Sequence, residues 1–164
     1  MKVREIVMKG EFIEQYEHTW RVFERIVADF DEDVWAYPKC GTATPARIAF
    51  HILQGVKYYL EDSSSIHFPS GKSFEHNCWN VAEESLPSQR DVLECASILR
   101  GTTKTWLSEM DLEAENRSFS WAGKTKLGVV LFLLRHSMYH IGELGALLGE
   151  SKQGEVEDHY VKAL

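Results

Sequence analysis

Two histidines four residues apart, His136 and His140, are the residues of this chain best placed to do chemistry. On an α-helix this spacing puts both side chains on one face with Cβ atoms ~6 Å apart, so both imidazoles can reach one metal ion. His51, in a second apolar stretch, offers a third nitrogen from another helix. Three neutral protein ligands leave a coordination position for water or a substrate, which is typical of a catalytic metal site. We therefore predict a metal centre formed by these three histidines.

The metal and its neighbours are less sharply defined by the sequence. Imidazole suits Zn²⁺, Ni²⁺, Fe²⁺ and Cu²⁺ without choosing among them; zinc or nickel is our first expectation. Glu143, one turn beyond His140, is a candidate fourth ligand, acceptor for an imidazole N–H, general base or solvated carboxylate. Tyr58 is the second candidate for proton transfer. Ser137 stands where H-E-x-x-H metalloproteases carry glutamate, which disfavours peptide hydrolysis by that mechanism.

The other histidines and the cysteines are predicted to have no catalytic role. Four histidines are expected on the surface: His18, His67, His76 and His159. Of these, His67 or His76 would reach the metal only if the loop over residues 63–85 folded across it. Cys40 and Cys78 are candidate thiol ligands or nucleophiles, but neither has a C-x-x-C partner, so ordinary loop cysteines are the preferred interpretation.

Four amphipathic segments with helical periodicity must position the three histidines. The predicted helices span residues 9–30, 45–62, 87–110 and 125–149. A hydroxyl cap followed by proline at Thr44 and Pro45 predicts the start of the second helix, and Gly149 is a natural end for the fourth. The long connection over residues 63–85 is expected to be functional or a lid, and residues 119–123 to form a short strand or hairpin arm.

The fourth predicted helix is apolar on two nearly opposite faces. One face carries Leu133 with the two histidines, and the other carries Val130, Leu134 and Ile141. A helix of this kind must be covered on both sides, either by its own chain or by a second chain. Because helices in a bundle normally bury one stripe each, the pattern favours a homodimer.

Composition restricts the class of protein. The chain of 164 residues with 44% hydrophobic content predicts a single domain over residues 1–164. A formal net charge of −7 argues against a nucleic-acid partner. The chain lacks an uncharged apolar run of ~20 residues, which argues against a membrane partner. Three unpatterned cysteines and an N-terminus without a hydrophobic signal region predict a cytoplasmic protein with reduced thiols.

The motifs resemble those of the DinB/YfiT-like superfamily of metalloenzymes. The resemblance rests on Thr44-Pro45-x5-His51 and on His136-x3-His140-x-Gly142-x-Leu144, with the stretch 121–125 just before the last helix. It covers about residues 12–148. It implies an all-α fold, an up-down-down-up four-helix bundle with long connections, in which His51, His136 and His140 match the metal triad, and it implies frequent dimers.

The resemblance also implies an activity. Relatives include bacillithiol S-transferases and a mycothiol-dependent maleylpyruvate isomerase, in which a metal lowers the pKa of a low-molecular-weight thiol and presents a thiolate to an electrophile. Our first hypothesis is therefore a divalent-metal-dependent thiol S-transferase or related detoxification catalyst that acts on a small molecule. The alternatives are a non-catalytic metal- or ligand-binding stress protein and a hydrolase that uses metal-bound water.

Overall fold

The computed structural model describes residues 3–36, 43–75 and 77–163. This part of the chain is mostly helical, as the all-α prediction requires. In chain order the helices are α1 (Val3–Asp29), α2 (Glu32–Trp35), α3 (Pro45–Glu61), α4 (Gln89–Glu109), α5 (Lys126–Ser151) and α6 (His159–Lys162). The predictions made for Cys40 and His76 fall outside the described residues.

The second and third predicted helices, α3 and α4, begin at side-chain caps. Thr44 Oγ1 accepts a hydrogen bond from the backbone N–H of Arg47 at 3.2 Å, and Pro45 occupies the first turn, as the sequence predicts. At α4, Ser88 and Asp91 form a capping box in which each side chain accepts from the other residue's backbone N–H. These local signals explain why both starts could be placed within two residues.

Two predicted helix boundaries were wrong. Helix α1 begins at Val3 rather than at residue 9. Its first turns are stabilised by Lys9, which pairs with Glu5 at 3.5 Å and donates a hydrogen bond to Ser108 O at 3.3 Å. Helix α5 passes through Gly149, and the chain turns at Gly154, whose N–H donates to Gly149 O at 2.8 Å and whose φ is +86°.

The segment 119–123 forms a 3₁₀ turn, Ser120–Ala122, and not the predicted strand or hairpin arm. The side-chain amide of Asn116 donates to Phe119 O at 2.6 Å and to Gly123 O at 2.7 Å, and Asn116 Oδ1 accepts from Phe119 N–H at 3.0 Å. A single buried asparagine therefore satisfies the backbone groups that a strand would have paired.

The long connection between α3 and α4 contains the small two-stranded antiparallel pair β1 (Ile66–His67) and β2 (Ser73–Phe74). Two 3₁₀ turns follow, Cys78–Asn80 and Glu83–Ser85. The first of these turns packs against α3 and buries Cys78 there. The connection is therefore ordered against the helices, and it lies over the part of α3 that carries His51.

The four long helices pack in a closed circuit, since α1 and α3 each contact both α4 and α5. The core between them contains fully buried side chains from several helices, among them Phe23, Phe50, Leu53, Val92 and Leu133. No helix of the described chain is long and apolar enough to cross a membrane.

Helix α5 is covered on its second apolar face by α1 of the same chain. The Tyr16 hydroxyl donates to Val130 O at 2.7 Å, and Thr19 Oγ1 lies 3.5 Å from Met138 Sδ. Ile141, also on this face, is 2% exposed. The two-sided pattern therefore has an explanation within one chain, and the homodimer stays a prediction that rests on the family resemblance.

The prediction of a surface position was wrong for His18. Its side chain is 8% exposed and lies under Tyr160 of α6, with ring centroids 4.9 Å apart. His159 is also largely covered, because its Nε2 meets Asp29 Oδ2 at 3.1 Å and its side chain is 12% exposed. Both corrections have one cause: the C-terminal residues fold back onto α1. His67 is exposed, as predicted.

Candidate metal centre

Helices α3 and α5 pack side by side and bring the three predicted histidines together. His51 comes from α3, and His136 and His140 come from successive turns of α5. One ring nitrogen of each residue lies within 4.8 Å of the other two, and Nε2 of His51 is 3.2 Å from Nε2 of His140. This three-histidine group can hold a metal ion.

The distance between two of the three nitrogens agrees with first-row metal coordination. Two imidazole nitrogens ~2.05 Å from one ion lie ~3.4 Å apart in tetrahedral geometry and ~2.9 Å apart at right angles. The 3.2 Å between Nε2 of His51 and Nε2 of His140 falls between these values. Neutral nitrogen ligands of this kind suit zinc and nickel, among other ions.

The space around the His136 ring depends on a glycine of α3. Gly55 is one turn beyond His51 on α3, and a Cβ placed there would lie 3.4 Å from Nε2 of His136. The ring of Phe132 packs parallel to that of His136, with centroids 5.9 Å apart. The missing side chain at Gly55 and the adjacent aromatic ring thus define the position of His136.

Glu143 contacts the ring nitrogen of His140 that does not face His51. Its Oε2 lies 2.6 Å from Nδ1 of His140, at the i, i+3 spacing within α5. A carboxylate at Nδ1 accepts the N–H there and leaves the Nε2 lone pair free to face His51. Among the roles that the sequence left open for Glu143, this contact is that of an imidazole acceptor.

Cys78, for which the sequence favours an ordinary loop cysteine over a ligand or a nucleophile, lies against the cluster. It is completely buried, and its Sγ lies 3.5 Å from Nδ1 of His51. Burial raises the pKa of its thiol to about 11, so the sulfur is protonated near neutral pH. A single cysteine 27 residues away in an aperiodic loop gives no sequence signal for such a contact.

The electrostatics of the cluster favour neutral imidazoles. Burial lowers the pKa of His51 to about 4, and repulsion from His140 and His136 acts in the same direction. Burial also lowers the pKa of His136, with a further contribution from His140. The neutral form is the one that coordinates a metal ion, so both rings are ready to bind near neutral pH.

A cavity of about 340 Å³ adjoins the cluster. Its lining residues are His51, Gln54, Gly55, Tyr58, Tyr59, Ser64, Asn77 and His136. Tyr58 is thus brought to the cavity, as its predicted role requires. Tyr59 is held in place by Trp121, whose Nε1–H donates to the Tyr59 hydroxyl at 2.8 Å. The described lining includes no Lys, Arg, Asp or Glu, so its character is aromatic and neutral-polar.

The fold and the site together define a helical protein with a candidate three-histidine metal centre beside a cavity of about 340 Å³. Comparison of the chain with protein-family models, with curated proteins and with solved structures gives no match. The DinB/YfiT-like resemblance therefore continues to rest on the sequence motifs quoted above.

Proposed function

We propose that this protein is a divalent-metal-dependent enzyme of the DinB/YfiT-like type, with zinc or nickel held by His51, His136 and His140. The observation that carries the proposal is the convergence of three imidazoles from two helices within 4.8 Å, beside a cavity of about 340 Å³. Three nitrogen ligands would leave at least one coordination position of such an ion for a substrate or water. The cavity that His51 and His136 line is the space from which a substrate would reach it.

The up-down-down-up four-helix bundle and the homodimer of that superfamily belong to the same proposal. The packing of α1 and α3 against both α4 and α5 supports the bundle. The Thr44-Pro45 start of α3, just under two turns before His51, agrees with the motif on which the resemblance rests.

The reaction that we propose is transfer of a low-molecular-weight thiol to an electrophile. A divalent ion held by the three histidines would lower the pKa of a thiol, so that the thiolate would be available near neutral pH. The thiolate would form a bond to the electrophilic carbon while the leaving group departs with its electron pair. In this chain Glu143 would hold His140 in place, and the Tyr58 hydroxyl on the cavity would relay the proton released by the thiol.

The cavity supports a small, uncharged substrate body. Ligand pockets usually measure ~300–1,000 Å³, so a cavity of about 340 Å³ fits only a compact molecule. Tyr58 and Tyr59 offer aromatic surface, and no formally charged side chain of the described lining opposes an apolar guest. We therefore expect the sulfur end of the thiol and a compact electrophile to share this space, and any charged part of the thiol to lie outside it.

The metal centre is tested by elemental analysis of the purified protein and of single-residue variants. His136→Ala and His140→Ala should lose the stoichiometric metal of the wild type while they keep its helical circular dichroism. The matched control is His67→Ala, because His67 is exposed on β1 and bonds to Ser73 instead of the cluster. Metal content that is the same in all four proteins would disprove the assignment of these ligands.

The reaction is tested separately on protein with a known metal content. Several cellular thiols are incubated with one halogenated nitrobenzene, and conjugate formation is followed by absorbance. The expected result is metal-dependent conjugation in the wild type and in His67→Ala, and none above background in His136→Ala. Metal-loaded protein that forms no conjugate but hydrolyses a simple ester would instead favour the metal-bound water as nucleophile.

A further inference from the structure

The 3₁₀ turn Cys78–Asn80 packs against the face of α3 that carries His51. Arg47, His51 and Gln54 follow one another at i, i+4 and i+7, which places them along one side of the helix. Gln54 Oε1 accepts a hydrogen bond from Cys78 N–H at 2.9 Å, and the Arg47 guanidinium donates to Cys78 O. Both backbone polar groups of Cys78 are therefore held by residues that flank His51.

This attachment fixes where the Cys78 side chain points. The residue has 0% exposure, and its Sγ lies 3.5 Å from Nδ1 of His51. The Trp79 ring covers the same imidazole, with centroids 5.5 Å apart. His51 is half-buried, and the thiol is the group that lies within hydrogen-bonding reach of its Nδ1.

The environment of His51 matches that of His140 on the other helix. At His140, Nδ1 meets the Glu143 carboxylate at 2.6 Å, while Nε2 faces His51 at 3.2 Å. At His51, Nδ1 meets the Cys78 sulfur and Nε2 faces His140. A metal-bound imidazole usually donates its outer N–H to a carboxylate, a backbone carbonyl or water, which fixes both the tautomer and the ring orientation. At His51 the Cys78 sulfur lies where such an acceptor would be.

We propose that Cys78 is a positioning residue of the metal centre: its sulfur accepts the Nδ1–H of His51, which directs the Nε2 lone pair toward the ion. This inference rests on the proposed three-histidine metal site, and it assigns Cys78 no bond to the metal. Removal of a partner of this kind weakens metal binding by about 10- to 100-fold in known sites. Sulfur is a weak acceptor, so the lower part of that range is the expected effect.

The test is a set of Zn²⁺ dissociation constants, measured on the full chain by competition with a chromogenic chelator. Cys78→Ala and Cys78→Val should each weaken binding by about tenfold or more, because neither side chain can accept the N–H. Cys78→Ser should stay within a few-fold of the wild type, because its hydroxyl still accepts. The valine variant keeps the buried volume filled and decides the question if the alanine variant does not fold.

Cys95→Ala is the matched control for these variants. Cys95 is also a buried free cysteine, 4% exposed, but it lies on α4, which carries none of the three histidines. Its substitution should leave the Zn²⁺ dissociation constant unchanged, whatever its effect on thermal stability. If the Cys95 and Cys78 variants all bound Zn²⁺ more weakly by the same factor, the cause would be loss of core packing, and the positioning role of Cys78 would be wrong.

A spectroscopic measurement separates positioning from a structural role. In the zinc-loaded protein, the Nδ1–H proton of His51 should exchange slowly with water in the wild type and in Cys78→Ser, and rapidly in Cys78→Val. With Co²⁺ in place of zinc, the wild type should lack the intense thiolate-to-cobalt absorption of a sulfur ligand. The presence of that absorption, and its loss in Cys78→Ser, would make Cys78 a ligand and overturn the proposal.

The outcomes also distinguish this inference from the proposed function. If Cys78→Val bound Zn²⁺ as tightly as the wild type, the positioning role of Cys78 would be wrong and the proposed metal centre would be unaffected. A wild type that binds no Zn²⁺ would overturn the metal centre, and the role of Cys78 with it.

Discussion

Oε2 of Glu143 lies 2.6 Å from Nδ1 of His140, and this contact joins the three-histidine cluster to a carboxylate. The two residues are one turn apart on α5, so the contact is built into a single rigid element. It aims the other nitrogen of His140 at His51, which comes from a different helix. The carboxylate therefore contributes to the site through an imidazole.

Substitution of Glu143 should weaken metal binding without abolishing it. Glu143→Gln keeps a carbonyl acceptor for the Nδ1–H but loses the charge, and about a tenfold rise in the Zn²⁺ dissociation constant is expected. Glu143→Ala should cost more, up to about 100-fold. The control is Glu11→Gln, an exposed acid on α1. If Glu143→Ala lost all metal, Glu143 would be a ligand and not an orienting residue.

The stability of the metal-free protein should fall as the pH is lowered from about 6.5 to about 4. In the unfolded chain His51 titrates near its ordinary pKa of 6.5, whereas burial lowers its pKa to about 4 in the folded chain. Between these values the unfolded chain binds the extra proton, which favours unfolding. Above pH 6.5 both states are neutral at His51, and this group adds no pH dependence.

Urea unfolding at pH 7 and pH 5 measures this effect. The metal-free wild type should lose about 1 kcal/mol more than His51→Gln between the two pH values, a figure reduced for the partial exposure of the ring. His67→Gln, at an exposed position, should behave as the wild type. Identical losses in the wild type and in His51→Gln would show that His51 titrates normally in the folded chain.

The sequence predicted the part of the site that depends on helical periodicity. The i, i+4 spacing of His136 and His140 places both on one face of any helix, and Thr44 with Pro45 marks the start of the helix that carries His51. The approach of His51 Nε2 to within 3.2 Å of His140 depends instead on how α3 packs on α5. No local pattern sets that packing; the meeting of the two helices was predicted from the three histidines taken together and from the family motifs.

The residues that sequence reasoning misplaced are those covered by irregular segments. Cys78 is buried by a turn that Arg47 and Gln54 hold in place, and neither contact follows from periodicity. His18 lies under Tyr160 of the one-turn helix α6, an element too short to produce a recognisable pattern. In both cases a long-range contact overrides the local polarity of the sequence.

The stability of the fold should depend strongly on Leu133, a residue of α5 that is 0% exposed. Leu133→Ala should lower the free energy of unfolding by about 2–5 kcal/mol, since it removes buried apolar surface and leaves a cavity. Leu131, two residues earlier on the same helix, is 50% exposed, and Leu131→Ala should change stability by about 0.5 kcal/mol or less. Urea titrations of the two variants provide the comparison, and equal effects would contradict the assigned orientation of α5.

The start of α5 should tolerate no side chain at Gly128, where the helix approaches the 3₁₀ turn before it. A Cβ at this position would lie 2.5 Å from Ala122 O and 3.1 Å from Gly123 Cα, and backbone atoms cannot rotate away as a side chain can. The crowding should cost up to about 3 kcal/mol, because a backbone oxygen at 2.5 Å must move, against a gain of about 1 kcal/mol from the higher helix propensity of alanine. Gly128→Ala is therefore expected to lower the melting temperature.

Gly142 provides the matched position on the same helix. A Cβ there meets no atom within 4 Å, so Gly142→Ala should cause no crowding. The higher helix propensity of alanine should then raise the free energy of unfolding by about 0.5–1 kcal/mol. Thermal and urea unfolding of both variants should give shifts of opposite sign relative to the wild type. Stabilisation by both substitutions would mean that the 3₁₀ turn over residues 120–122 lies farther from α5 than the 2.5 Å approach requires.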